Sequence, residues 1–322
     1  MCRFLAFLAA LFSAAAAFAA EPVARVPYRT DFGAWYTVEA TIDGKGPFEF
    51  IIDSGTSHTL LFETAAATVG AAPAGGLQTV YSIGASGQYA RRRLGDIAIG
   101  AARLDNATGV VLADWPVGER MPAGILGLDF LSRYFVVLDA SRREVAFYAR
   151  DDRPDFSSWP ATPLNRRKFG GGVELYTIDA TLDRRPVEFL FDIGAAGTVV
   201  NDQALEVILR AKKRSYLDPT PKIRARIVGA QGDATTIKAL EIEWLEAGDN
   251  IWRNRVVAVY NAPMFAALGR EKQPFGLFGA DLLRERSFAM DFVGGELRVG
   301  PAGGLTAGIE APQRSFFIGG SQ

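Results

Sequence analysis

One stretch of this chain occurs twice. Phe48-Glu49-Phe50-Ile51-Ile52-Asp53-Ser54-Gly55 returns as Val187-Glu188-Phe189-Leu190-Phe191-Asp192-Ile193-Gly194. Each copy is an apolar run that reads as a buried β-strand ending in Asp-x-Gly. The surrounding landmarks recur in the same order. Thr41-Ile42-Asp43 matches Thr181-Leu182-Asp183, and Ile83-Gly84-Ala85-Ser86-Gly87 matches Val228-Gly229-Ala230-Gln231-Gly232. Leu126-Gly127-Leu128-Asp129-Phe130-Leu131 matches Phe278-Gly279-Ala280-Asp281-Leu282-Leu283. The spacing between partners drifts slowly, as small loop insertions produce, so the pattern reads as an internal duplication. Two copies facing each other across a pseudo-two-fold axis bring two carboxylates into one site. Carboxylates sharing a site are a device for acid–base chemistry in hydrolysis.

A chain of 322 residues allows about two domains. The repeat places them at residues 21–150 and 151–300, with a glycine-rich tail at 301–322 that holds a candidate interface strand. The 35 basic and 36 acidic residues nearly cancel, so no nucleic-acid footprint is expected. Residues 1–20 read as a secretory signal. Arg3 precedes an apolar stretch, and Ala17-Phe18-Ala19 fits a small-residue cleavage site. The alternative is a retained N-terminal anchor, for which the stretch is near the minimum spanning length. Cleavage removes Cys2, the one cysteine, leaving no disulfide, thiol nucleophile or cysteine–metal site. This fits an exported, periplasmic protein without stable membrane insertion. His58 is the only histidine, which disfavours Ser-His-Asp and multi-histidine metal chemistry. No metal or organic cofactor is expected, and the carboxylates remain as the catalytic resource.

Many short apolar runs separated by glycine turns predict a mostly β fold. Residues 35–42 and 48–52 read as strands joined by a turn at Gly44-Lys45-Gly46-Pro47. Residues 60–69 read as a short helix or irregular segment, 71–76 as a loop, and 81–99 as a hairpin with its tip at 84–87. Residues 135–139 and 144–148 form a closing hairpin, and residues 150–163 a linker. Asn201 is placed to cap a helix running to about Arg214. Asp129 and Asp281 are expected as helix caps rather than catalytic groups.

These motifs resemble the retropepsin-like aspartic proteases, with two copies fused in one chain. The resemblance rests on the hydrophobic-Asp-Ser-Gly-Thr run at Asp53 and the hydrophobic-Asp-x-Gly-Ala run at Asp192. It also rests on the elements ending in Leu126-Gly127 and Phe278-Gly279. It implies an all-β fold of two closed β-barrel lobes, with Asp53 and Asp192 as the catalytic dyad. Ser54, Gly55, Thr56, Gly194 and Ala195 would support the catalytic loops. Gly84, Gly87, Gly229 and Gly232 would form two flaps, their plain alternative being ordinary hairpin tips. The implied activity is peptide-bond hydrolysis of an extended protein or peptide substrate by a single chain, with no dimer required.

The two copies differ chemically. Thr56 offers Asp53 a hydroxyl, whereas Ala195 offers Asp192 none, so Asp53 is expected to ionise more readily. Ile193 stands where the family has Thr or Ser, which removes half of a hydroxyl brace between the loops. That departure supports an alternative, a pseudo-protease that binds a peptide in the same groove without cutting it. A third reading keeps the two lobes as scaffold only. His58 has no counterpart in the second copy, where Gly197 stands, and reads as structural or substrate-adjacent.

Overall fold

A computed structural model of the protein describes residues 20–30, 35–81, 86–114, 121–213, 223–228, 234–302 and 315–317. Among the described residues the fold is mostly β, with one sheet of fourteen strands and one of nine.

The aspartate-bearing strands run through the interior. Lys45–Ile52 pairs antiparallel with Thr37–Ile42 and parallel with Gly124–Leu126, so that Ile52 lies opposite Leu126. Its last residues, Phe50, Ile51 and Ile52, are all buried. Burial on both faces explains why this segment is a continuous apolar run rather than an alternating one. Leu60–Phe62 then pairs antiparallel with Gly124–Leu126 from the other side. The same pairings recur further on. Arg185–Phe191 runs antiparallel to Glu174–Leu182 and parallel to Phe275–Phe278, which pairs antiparallel with Val199–Val200.

The Thr-x-Asp landmark marks the tight turn before each of these strands. Asp43 and Gly44 both have positive φ, and so do Asp183 and Arg184. Asp tolerates that conformation because its short side chain bonds nearby backbone. Here the Asp43 carboxylate accepts from Asp96 N–H, and that of Asp183 from Glu243 and Trp244 N–H. The first turn therefore falls one residue earlier than the sequence suggested, and Lys45 already belongs to the strand.

A sheet joins the two parts of the chain. The hairpin Phe135–Asp139/Glu144–Tyr148 has the expected bounds. Phe135–Asp139 also pairs with Arg286–Asp291, Val136 facing Met290 and Leu138 facing Phe288. Glu296–Ala302 and Ala161–Pro163 extend the sheet on one side, and Ala24–Arg29 on the other. The expected linker thus ends in a strand. A strand also forms in the tail, at Ser315–Phe317, but it pairs parallel with Ile223–Val228 rather than joining this sheet.

Two other segments differ from expectation. Residues 72–76 are not a loop but the start of strand Ala72–Tyr81, whose pairing with Ser86–Ile99 shifts register between Pro73 and Leu77. Residues 60–62 are strand, and the helix begins at Glu63 and ends at Val69. Residues 60–62 are buried between neighbouring strands, whereas residues 72–76 are largely exposed and owe their strand state to pairing with Ser86–Ile99; in both cases a neighbouring strand outweighs local propensity.

The helix Asp202–Lys213 follows Asn201 as expected. Asn201 Oδ1 accepts from Ala204 N–H at 2.9 Å and from Phe275 N–H at 3.2 Å, while its amide donates to Gln273 O at 2.8 Å. One buried side chain therefore caps the helix and ties it to strand Phe275–Phe278. Asn201→Ala would leave several of these groups unpaired in the interior. We expect it to cost about 3 kcal/mol, read as a lower midpoint in urea unfolding.

Candidate active site

Strands Lys45–Ile52 and Arg185–Phe191 each end on an aspartate. Asp53 N–H donates to Leu126 O and Asp192 N–H to Phe278 O, both at 3.1 Å. Each aspartate is thus held by the residue preceding the downstream glycine. Those glycines are required by space. A Cβ on Gly127 would sit 2.6 Å from the His58 carbonyl carbon, and one on Gly279 would sit 2.5 Å from that of Gly197.

The two Asp-x-Gly turns interlock. A Cβ on Gly55 would lie 2.5 Å from Asp192 Cγ, and one on Gly194 would lie 2.4 Å from Asp53 Cγ. Each glycine lies directly against the other turn's carboxyl group. Neither has a positive φ, so close approach, rather than the backbone freedom that normally favours glycine, demands the missing side chain.

Ser54 closes the contact between the turns. Its buried hydroxyl donates to Phe191 O at 2.9 Å and accepts from Ile193 N–H at 3.1 Å. Ile193 is fully buried and brings no hydroxyl in return.

The two carboxyls have different partners. Asp53 is half-buried and accepts from Gly55 N–H and from the Thr56 hydroxyl, both at 2.7 Å. Asp192 is buried and accepts from Ala195 N–H at 2.8 Å. Desolvation pushes both above the usual carboxylate range. For Asp53 the Thr56 hydroxyl, the Gly55 N–H and a hydrogen bond with Asp192 pull it part of the way back. Asp192 rises much further, because the charge of Asp53 and the same shared hydrogen bond add to its burial.

The landmarks Asp129 and Asp281 are not helix caps. Gly127 and Gly279 occupy the cap positions. Asp129 accepts from the Thr59 hydroxyl and N–H at 2.7 and 2.8 Å, and Asp281 accepts from the Thr198 hydroxyl at 2.8 Å. Each carboxylate anchors a threonine six residues after an aspartate of the paired turns. Thr59 and Thr198 stand at the same distance after Asp53 and Asp192, and that shared spacing is the signal in the sequence that marks them. Burial pushes Asp281 up to about 6, against the Thr198 hydroxyl and the charges of Arg284 and Arg255.

Trp35 was missed altogether. It is buried against Ile51 and Ala196, and its Nε1–H donates to Gly194 O at 2.5 Å. Arg284 likewise donates to Ala196 O at 3.2 Å. Neither residue belongs to a repeated motif.

A cleft opens beside the turns. It is lined by Gly55, Thr56 and His58, by Gln78, Thr79 and Val80 of strand Ala72–Tyr81, and by Val173, Leu175 and Met264. It continues past His58 into a hollow of about 600 Å³ reaching Arg91, Asp129, Arg166 and Glu174. His58 is exposed on this wall, its Nδ1 3.0 Å from Ser57 Oγ. Gly87 lies in a strand opposite Val80, while Gly84, Gly229 and Gly232 fall outside the described residues. A second hollow, of about 200 Å³, lies against the joining sheet. There Arg153 and Arg298 pair with Asp291 and Glu296, leaving those charges neutralised. Among the described residues no three His, Cys, Asp or Glu side chains are grouped to hold a metal ion.

Residues 38–130, which carry Asp53 and its turn, match a family model described as aspartyl protease. The aspartic proteinase from Irpex lacteus has a similar structure. The match has a TM-score of 0.52 and covers 88% of this chain and 98% of that one, at 11% identity. The chain therefore has the fold of that aspartic proteinase, and its segment bearing Asp53 is similar in sequence to aspartyl proteases. No curated protein sequence matches the chain.

Two predictions follow from these partners. Thr56→Ala removes a donor that favours ionised Asp53. The lower apparent pKa of the carboxyl pair should rise, read by carbon NMR of aspartate-labelled protein. For Asp281 the folded value of about 6 exceeds the ordinary carboxylate value of 3.8. The folded state then binds the extra proton in that window, so stability contributed by this group falls as pH rises from about 4 to about 6. Asp281→Asn should flatten that slope in urea titrations across the same range.

Proposed function

We propose that the protein is an aspartic endopeptidase acting through an Asp53–Asp192 dyad and an activated water. The reading rests above all on the reciprocal seating of Gly55 on the Asp192 carboxyl and of Gly194 on the Asp53 carboxyl. Two carboxyls in such proximity share one proton at moderate pH. Asp53, with the Thr56 hydroxyl and Gly55 N–H on its oxygens, holds the negative charge. Asp192 keeps the proton.

The chemistry then follows. Ionised Asp53 takes a proton from a water, which attacks the carbonyl carbon of the scissile peptide. Protonated Asp192 gives its proton to the carbonyl oxygen, forming a neutral tetrahedral diol. Collapse of the diol breaks the C–N bond, with a proton passing to the leaving amine. The substrate is an extended peptide lying in the cleft beneath Gln78, Thr79 and Val80.

The wider reading has two lobes, residues 21–150 and 151–300, related by a pseudo-two-fold axis. The chain is exported by a cleaved signal at residues 1–20, works as a monomer in the periplasm, and cuts proteins of the cell envelope. Ile193 favours a second reading. With one of the two expected hydroxyls replaced by a buried aliphatic side chain, the same groove would serve to bind a peptide without cutting it.

A chain starting near residue 20, incubated with an unfolded protein from acidic to neutral pH, separates the two. The endopeptidase cleaves with a bell-shaped pH profile. Asp53→Asn and Asp192→Asn each reduce kcat by about 10³-fold or more. A folded wild type that binds unfolded peptides without cleaving them supports the pseudo-protease.

A further inference from the structure

The two catalytic turns are held unequally. Thr56 places a hydroxyl on Asp53, but Ala195 places none on Asp192, and Ile193 contributes no hydroxyl to the contact between the turns. The second turn nevertheless has a donor from the other part of the chain. Trp35 Nε1–H reaches Gly194 O, and Ala195 N–H reaches Asp192 Oδ1. Gly194 C=O and Ala195 N–H are the two ends of one peptide unit. A donor on the carbonyl polarises the amide, and a polarised N–H is a stronger donor to a carboxylate. The indole is also locked in place, 1% exposed and in one apolar cluster with Ile51, Leu60, Phe62 and Ala196. Its direction is therefore set by packing.

We infer that Trp35 is a positioning residue for Asp192. It acts through the Gly194–Ala195 peptide and serves in place of the hydroxyl that position 195 lacks. The inference rests on the proposed dyad for its catalytic meaning, but the effect on the carboxyl itself is measurable without catalysis. Trp35 orients the Asp192 carboxyl and stabilises its charged form. Removing the N–H destabilises that charged form, so the proton is held more tightly. The higher apparent pKa of the pair should rise, and the alkaline limb of the pH–rate profile should move to higher pH.

The test compares wild type with Trp35→Phe and with β-(3-benzothienyl)alanine at position 35, which keeps the indole shape without its N–H. The benzothienyl variant secures a folded protein if the smaller ring does not. Carbon NMR titration of aspartate-labelled protein, with Asp192→Asn for assignment, is expected to show the higher dyad pKa moving up in both variants. With a cleavable peptide, kcat should fall about tenfold with KM nearly unchanged. A dyad titration identical to wild type overturns the inference, and so does a loss of stability without any titration shift. A wild type that cleaves nothing overturns the proposed function instead, while the titration still decides the role of Trp35.

Discussion

Everything at the centre of this protein depends on two turns pressed together at glycines, each lying against the other turn's carboxyl. Gly55 and Gly194 let each backbone lie on the other's carboxyl, and Ser54 fastens the pair with two hydrogen bonds. One methyl group at either glycine would push a carboxyl out of place. The parallel pairings of Lys45–Ile52 with Gly124–Leu126 and of Arg185–Phe191 with Phe275–Phe278 deliver the turns to that contact. Asp129 and Asp281, through Thr59 and Thr198, hold their far ends. The joining sheet keeps the halves from separating.

Such contact has an electrostatic cost. Two carboxyl groups are removed from water next to each other, and neither ionises as readily as it would alone. The unequal hydrogen bonds of Asp53 and Asp192 resolve the conflict by favouring charge on one and a proton on the other. The turns differ by two hydroxyls, Thr56 against Ala195 and Ser54 against Ile193, and of these it is Thr56 that donates to an aspartate carboxyl.

Much of this was legible in the sequence because the repeated motifs carry it. The continuous apolar runs, the glycines and the Thr-x-Asp turns each need one residue type at one place, and repetition exposes such needs. The closing hairpin and the Asn201 cap were legible for local reasons, from strand alternation and capping chemistry. Residues 60–62 misled because their strand partners lie some 50–65 residues on, and residues 72–76 because their glycines look like a loop although they pair with the next strand. Asp129 and Asp281 misled because an aspartate before a short helix looks like a cap, and only the folded structure brings a threonine to it. Trp35 and Arg284 gave no sign, since each donates to a backbone carbonyl of a loop more than 80 residues away.

The one-sided brace has a consequence for how such a site can change over time. In an assembly of two identical copies, any residue beside the aspartate would occur twice, and an isoleucine there would remove both hydroxyls at once. Here the two turns are encoded separately in one chain, so position 54 can hold Ser while position 193 holds Ile. Covalent linkage thereby lets the two facing turns carry different residues at matching positions, which two identical copies could not do.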